Sequence, residues 1–391
     1  NPFPRLPPRP SAPAPFGNDA AGRWTRDNGR AAAPGERRGA GEAAHVKSRP
    51  SPFVLFLLLA FVPAWVLWIG AGVLSRTGAY RADAAWLVAQ LGVFSPALAA
   101  FVVASLTRPG SGRRAARLAA SLYLPALALG ALIATRGFDD LRRVDEAWLL
   151  PVSLLALLAL VLLGRRGSRV EPWPLGEARS GTVALWTAGA ALLPAAAYAV
   201  AWAAGGASAQ VSVGGAAVPY RELTAVAALL ALGWNLVFGG SLGEEPGWRG
   251  FLLPRLLADR SPFGASLVIG FWWALWHGPL DWVQGFVVSG PGALVLRQVW
   301  ALPLAILLTW ATVRAGGSLL PAFAFHTTLN AIPDFALVDP GRYASATAVF
   351  WVAALVAAVA AVVFDPVLLR RPDAEAAPPP GSPTEGPSRQ A

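Results

Sequence analysis

Residues 52–74 read PFVLFLLLAFVPAWVLWIGAGVL and include no charged side chain. A helix needs about 20 mostly apolar residues to cross the hydrocarbon core of a bilayer, so this segment predicts a membrane-spanning helix. Further segments of this kind lie at 84–107, 117–135, 146–164, 181–204, 222–243, 264–283, 294–313, 318–337 and 343–364. Together they predict an all-α fold, a polytopic transmembrane helical bundle of about 8–10 spans.

The composition agrees with a membrane protein. Of the 391 residues, 55% are hydrophobic and 14% are charged, whereas a soluble domain has about 25% charged residues. The chain has no cysteine, which excludes disulfides, thiolate nucleophiles and cysteine-ligated metals. The segments 1–50 and 366–391 are rich in Pro, Gly and polar residues. We therefore expect disordered tails on either side of a transmembrane domain at 51–365.

The formal net charge of +10 has an explanation that does not need nucleic acid. In membrane proteins, basic residues concentrate in the cytoplasmic loops. When the N-terminal tail is placed in the cytoplasm, most of the 32 Lys and Arg residues fall in inner segments. We therefore expect a multi-pass protein of the cell membrane with both termini cytoplasmic, which contacts the lipid bilayer and no nucleic acid.

A few polar side chains interrupt the apolar segments between 222 and 337. Burying an ionisable group in a span costs at least a few kcal/mol, so such residues are candidates for function. They are Glu244, Glu245, Arg249, His277, His326 and Asn330. The last two are four residues apart, so their side chains point the same way on a helix. This concentration predicts a buried polar cavity within the bundle.

The spacing around the adjacent glutamates favours different roles for them. Glu245 and Arg249 are four residues apart and can pair on one helix face. Glu244 is rotated by about 100° from Glu245, so it can face a cavity while its neighbour pairs with the arginine. Pro246 and Gly247 follow directly, and they can kink or break the helix here.

Each of these features also has a structural explanation. An adjacent glutamate pair at a helix end is usually solvated, a lone histidine in a span often packs, and an asparagine frequently bridges two helices. Their joint occurrence on three consecutive apolar regions favours a functional site. Asp281, four residues after His277, could fix the tautomer of that imidazole. A position at the outer membrane edge explains Asp281 equally well.

Three short motifs in this region resemble those of a known family. Residues 244–251 read EEPGWRGF and match the motif EExxxR, residues 274–279 read ALWHGP and resemble FxxxH, and residues 326–330 read HTTLN and resemble HxxxN. These motifs are typical of the CPBP intramembrane proteases, the group of the CAAX prenyl endopeptidases and their bacterial relatives, also called the Abi family. The resemblance covers about residues 222–335. Where the family motif has phenylalanine this chain has Trp273, which retains an aromatic ring.

The resemblance implies roles for the polar residues. Glu244 and His277 would hold and activate a water, and Glu245 with Arg249 would orient the site. A glutamate that is shielded from bulk water beside an imidazole is suited to act as a general base.

The resemblance further implies that His326 and Asn330 stabilise the oxyanion of a tetrahedral intermediate, where preorganised donors typically contribute about 3–4 kcal/mol. It implies no cofactor, because members of this family are regarded as glutamate proteases. Zn²⁺ is the alternative, since it favours histidine and carboxylate ligands. Its ligands would be Glu244, His277 and His326, although the helical HExxH signature is absent from the chain.

The expected function is that of an intramembrane endopeptidase, which hydrolyses peptide bonds of a membrane protein or peptide with a Glu/His-activated water. Because Glu244 lies at the predicted inner end of span 222–243, we expect cleavage near the cytoplasmic face. One alternative is a proton-coupled membrane transporter, in which intramembrane Glu and His relay protons. The others are a zinc-dependent membrane protease with the same residues and a catalytically inert scaffold with the same fold.

Overall fold

The computed structural model describes residues 51–77, 88, 90–107, 113, 117, 123, 180–205, 210–213, 216–219, 232–284, 291–335 and 343–371. The predicted tail at 1–50 and nearly all of the predicted spans 117–135 and 146–164 lie outside these residues. The helices are α1 (Pro52–Arg76), α2 (Ser95–Thr107), α3 (Ser180–Gly205), α4 (Ser241–Glu245), a π-helix (Pro246–Leu252), α5 (Leu253–Leu257), α6 (Pro262–Trp276), α7 (Gly278–Gln284), α8 (Pro291–Arg314), α9 (Leu320–Phe335) and α10 (Tyr343–Phe364).

The predicted all-α bundle is confirmed, with one small exception in the described chain. Strands β1 (Gln210–Val213) and β2 (Ala216–Pro219) form an antiparallel hairpin in which Val211 lies opposite Val218. The hairpin follows α3, and β1 lies against α9. In the bundle, α6 packs along α8, α9 packs along α3, and α1 lies against α2 and α7.

Four of the described helices are long and apolar enough to cross a membrane: Pro52–Arg76, Gln90–Thr107, Ser180–Ala197 and Leu294–Arg314. Their outer faces carry large apolar side chains that no other part of the described chain covers. On α1 these exposed residues recur at every fourth position, at Val54, Leu58, Val62 and Val66. Such a surface is unfavourable in water and suited to lipid. The chain is a multi-pass membrane protein, and the count of about ten spans stays a prediction.

One carbonyl of α1 ties three helices together. Pro63 inside α1 has no N–H, so the backbone ladder is interrupted there. Close by, the carbonyl of Ala60 accepts hydrogen bonds from Ser95 Oγ (2.6 Å) and from Trp276 Nε1 (2.9 Å). Trp65 Nε1 donates in return to the carbonyl of Trp276 (3.0 Å). These bonds fix the end of α6 against α1 and α2. His277 follows directly after this end.

The predicted end of a span at residue 243 lies inside a helical segment that starts after a turn at Gly239–Gly240. The chain continues as helix from Ser241 through the π-helix to Leu257, and nearly all side chains of this segment are buried. Glu244, Glu245 and Arg249 lie within six positions and lower the local hydropathy. For this reason the predicted span ended before them. In the fold these side chains face one another and other polar groups, so the helix continues. Glu244 is therefore buried among the helices of the described chain.

Two glycines bring this segment against α2. A Cβ on Gly243 would collide with the backbone of Val93, and a Cβ on Gly247 would lie 2.6 Å from the carbonyl carbon of Pro96. Small residues four positions apart allow two helices to approach closely in a membrane. Any larger side chain at either position would push the glutamates away from α2.

The change from α- to π-helix begins at Pro246. Proline has no N–H, so it cannot donate to the carbonyl of Leu242 as an α-helix requires. The hydroxyl of Tyr123 donates to that carbonyl instead, at 2.5 Å. A side chain from a distant part of the sequence thus compensates for the irregular helix next to the glutamates.

Residues 366–371, at the start of the predicted C-terminal tail, are part of the fold. A 3₁₀ turn at Pro366–Leu368 follows α10, and Leu368 is fully buried. Asp365 caps the turn by accepting from Val367 N (3.1 Å), and it also accepts from Arg314 Nε (2.6 Å). Burial raises the pKa of the Asp365 carboxyl, but hydrogen bonds from Arg314 and Trp310 outweigh burial and hold that pKa below its usual value. A disordered tail at 372–391 stays a prediction.

Candidate active site

The polar site is built on a turn at Gly239–Gly240, which separates the helical residues 232–237 from α4. Gly240 has a φ of 102°, in the left-handed region that favours glycine. Its carbonyl accepts from Glu244 N (2.7 Å), which starts α4. A Cβ on Gly240 would collide with Oε1 of Glu244 and would lie 3.4 Å from Nε2 of His326. Glycine is thus required both by the backbone and by the narrow space between these two atoms.

Glu244 directs its two carboxylate oxygens to different sides of the site. Oε2 accepts a hydrogen bond from Trp273 Nε1 at 2.5 Å and lies 4.0 Å from His277 Nε2. Oε1 faces Gly240 and His326. The side chain is almost completely buried. Among the described residues, no Lys or Arg lies within ion-pair distance of this carboxylate.

His277 has a defined tautomer when it is neutral. Its Nδ1 lies 2.7 Å from the backbone oxygen of Trp273. A carbonyl oxygen only accepts hydrogen bonds, so Nδ1 carries the hydrogen and Nε2 is left as an acceptor. Nε2 is also the atom that faces Glu244. The two side chains therefore present two acceptors to a shared proton donor such as water.

Glu245 lies in a different, charged environment. Its Oε1 accepts from Arg249 Nη1 at 3.1 Å and from His326 Nδ1 at 2.8 Å. Glu245 and Arg249 are both completely buried. The predicted pairing of these residues on one helix face is present, and the structure adds His326 as a second partner of the same oxygen. Arg249 thus compensates the charge of Glu245 directly.

The indole of Trp273 lies between the two halves of the site. Its ring contacts the imidazole of His277 (centroids 5.5 Å apart) and that of His326 (5.9 Å), each nearly perpendicular. The guanidinium carbon of Arg249 lies 4.8 Å from the indole centroid, within cation–π distance. Trp273 also donates to Glu244. The aromatic residue at this motif position therefore contacts every ionisable group of the site except Glu245.

Asn330 lies one turn after His326 on α9 and reaches the turn of the site. Its Nδ2 donates to the carbonyl of Gly239. On the same helix, Thr327 Oγ1 donates to Ser241 Oγ at 2.9 Å. α9 thereby holds both the Gly239–Gly240 turn and the first residue of α4. An amide nitrogen has two hydrogens, so this bond leaves a second donor on Asn330.

The structure decides against one of the two alternatives for Asp281 and adds residues that the motifs did not indicate. Asp281 does not contact the imidazole of His277, because it pairs with Arg297 of α8. Gly240 and Tyr123 were not identified from the sequence. For Gly240 the doublet Gly239–Gly240 was a usable signal, since glycine pairs mark turns. Tyr123 has no local signal that connects it to this site.

The histidine and carboxylate donors of the site bear on the zinc alternative. Among the described residues, no group of three His, Cys, Asp or Glu side chains is arranged to hold a metal ion. His277 and His326 each use Nδ1 for another bond, so only their Nε2 atoms are left as ligands. A metal-free site stays a prediction.

Fold and site together define a multi-pass helical membrane protein with a buried Glu–His cluster. Residues 226–332 match the family model described as "Type II CAAX prenyl endopeptidase Rce1-like". This range includes all three motifs. The resemblance to the CPBP family is thereby confirmed for this part of the chain.

A curated relative agrees with this match. The chain is 33% identical over 95 residues to "CAAX prenyl protease 2" of Methanococcus maripaludis. The matched segment covers 22% of this chain and 34% of the relative. The chain thus spans about a third of the length of the curated relative it matches.

Proposed function

We propose that this protein is an intramembrane endopeptidase that hydrolyses peptide bonds of membrane proteins or peptides with a water activated by Glu244 and His277. The observation that carries the proposal is the buried pair of Glu244 and His277, with a carboxylate oxygen 4.0 Å from an imidazole nitrogen that is free to accept. The match to the CAAX prenyl endopeptidase family supports a protease.

In the proposed reaction, Glu244 takes a proton from the bound water while the water oxygen attacks the scissile carbonyl carbon. The carbonyl oxygen becomes an oxyanion. When the C–N bond breaks, the proton passes to the leaving amine, and His277 is placed to relay it. Glu244 suits the role of base because it accepts a hydrogen bond from the neutral indole of Trp273 and forms no ion pair with an Arg or Lys of the described residues.

Charge balance supports a role for His326 at the oxyanion. Glu244, Glu245 and Arg249 together carry one excess negative charge in an apolar interior, which is unfavourable. One further proton neutralises the cluster. His326 is placed to hold it, because Nδ1 bonds to Glu245 and Nε2 faces the space beside Gly240. Protonated His326, with Asn330, would then donate to the oxyanion.

The burial of the site bears on how a substrate reaches it. Because Glu244 is buried among the helices, a substrate has to enter the bundle to reach it, and cleavage near the cytoplasmic face stays part of the proposal. The relative carries the name CAAX prenyl protease 2. A location in the cell membrane with both termini cytoplasmic remains part of the proposal.

The test is cleavage of reporter membrane peptides by the purified protein in liposomes. We expect cleavage by the wild type and a rate at least about 100-fold lower for Glu244→Gln. Asp365→Asn is the matched control, since it also removes a largely buried carboxylate but lies at the end of α10. Equal rates in wild type and Glu244→Gln would refute the proposal. Proton flux that requires Glu244, without any cleavage, would support the transporter alternative.

A further inference from the structure

Two aspartate–arginine pairs join α8 to its neighbours. Near the start of α8, Arg297 Nε donates to Asp281 Oδ2 at 2.9 Å and Nη2 donates to Oδ1. At its end, Arg314 Nε donates to Asp365 Oδ2 at 2.6 Å and Nη2 donates to Oδ1. The two pairs have the same bidentate geometry, and both aspartate side chains are 10% exposed. They differ in what lies beside them.

The first pair lies one helical turn from His277. Asp281 N donates to the backbone oxygen of His277 at 3.0 Å. His277 itself is the junction between α6 and α7, so the direction of its imidazole depends on how α7 is held. At this junction a Cβ on Gly278 would lie 3.0 Å from Leu294 of α8, which shows how closely α7 and α8 approach.

We propose that Asp281 and Arg297 are positioning residues for His277. The pair clamps α7 to α8, and the bond from Asp281 N to the His277 carbonyl transmits this constraint to the imidazole. The ring is then held with Nδ1 on the carbonyl of Trp273 and Nε2 towards Glu244. This inference rests on the proposed function, because it assigns the pair a role in that reaction.

The charge on Arg297 adds to the geometric argument. Its guanidinium interacts electrostatically with His277 and with Glu244. The ion pair with Asp281 ties this cation to α7. Arg314, at the other end of α8, contacts Asp365 and no residue of the site.

The test compares Asp281→Asn with Asp365→Asn in the full chain. Both substitutions weaken one Asp–Arg pair on α8, so we expect similar decreases in melting temperature. Only Asp281→Asn should lower kcat, by roughly 10- to 100-fold with little change in KM, because misplacement of a catalytic group by about 1 Å has an effect of this size. Arg297→Lys should retain more kcat than Arg297→Gln. Equal kcat values for Asp281→Asn and Asp365→Asn would overturn the inference.

A second readout does not depend on cleavage. The chain has only three histidines, so the imidazole ¹⁵N spectrum is simple, and His277→Asn assigns its signal. Asp281→Asn should shift the His277 Nδ1 signal, whereas Asp365→Asn should leave it in place. If Asp281→Asn shifts the His277 Nδ1 signal but the wild type cleaves no peptide, the proposed function is refuted and the positioning role is supported. Normal cleavage with an unshifted signal in Asp281→Asn would refute the positioning role alone.

Discussion

Glu244 and Glu245 are adjacent in the chain and fully buried, yet their surroundings are opposite. Glu245 shares one oxygen between a guanidinium and an imidazole, at 3.1 and 2.8 Å. Glu244 accepts from a neutral indole and faces the acceptor nitrogen of His277. A rotation of about 100° between neighbouring helix positions separates the two environments.

The difference shows how a buried site can both keep one carboxylate charged and leave another available for chemistry. Breaking a buried ion pair is costly, so Glu245 and Arg249 hold α4 and the π-helix together. Glu244 forms no ion pair with an Arg or Lys of the described residues. It can therefore take up a proton without breaking such a pair. The following substitutions test this division between a structural and a reactive half.

The largest expected effect is on rate. Glu244→Gln should lower kcat by about 10²–10⁴-fold, because the amide keeps the volume and hydrogen-bonding capacity but cannot take a proton. Its melting temperature should stay near that of the wild type. Glu245→Gln should instead lower the melting temperature, since it leaves Arg249 without its counter-charge. If Glu245→Gln were inactive and Glu244→Gln cleaved normally, the two roles would have to be exchanged.

The next largest effect is on stability. Arg249→Ala should lower the free energy of unfolding by about 3–5 kcal/mol, because it leaves Glu245 buried and unpaired. The double variant Glu245→Gln/Arg249→Ala should be destabilised by less than the sum of the single variants. Unfolding in detergent micelles measures the free energy of unfolding of the two single variants and of the double variant. Strict additivity would show that the pair is not coupled in the fold.

A smaller effect is expected where α9 meets the turn of the site. Asn330→Ala should lower kcat by about 100-fold, the typical cost of one lost oxyanion donor. Thr327→Val is the control, because Thr327 lies on the same helix as Asn330. This substitution removes the bond from Thr327 to Ser241 of α4 and leaves Asn330 in place. Should Asn330→Ala reduce only the melting temperature, its role would be limited to holding the Gly239 carbonyl.

No effect is expected from metal removal. In the proposed mechanism Glu244 is a base and not a zinc ligand, so dialysis against a chelator should leave the cleavage rate unchanged. The measurement is the rate in liposomes before and after chelation, followed by addition of Zn²⁺. Loss of activity with recovery on Zn²⁺ would establish the zinc alternative and make Glu244, His277 and His326 its ligands.

The sequence predicted those parts of the site that depend on one helix. The pairing of Glu245 with Arg249 follows from a spacing of four residues, and it is present. The motifs also indicated which three regions meet. Which atoms meet was not predictable, because the bond of His326 to Glu245 depends on how α9 packs against α4.

Other features lacked a local signal. Asp281 is spaced to reach His277 on a continuous helix, but the helix is interrupted at His277 and α8 supplies Arg297 as a stronger partner. The bond from Tyr123 to Leu242 joins residues 119 positions apart. From the sequence, only the missing N–H of Pro246 indicates that the carbonyl of Leu242 needs another donor.

The π-helix at Pro246–Leu252 makes the length of this segment as important as its side chains. A ring closed from i to i+5 holds one residue more than an α-helical ring, and each residue advances an α-helix by about 100°. Deleting one residue here and restoring regular α-helix would turn the two glutamates by about that angle relative to Leu253–Leu257. Every motif residue would still be present, but the carboxylates would point to a different side of the helix. The direction of the two carboxylates thus depends on the number of residues in this segment as well as on which residues they are.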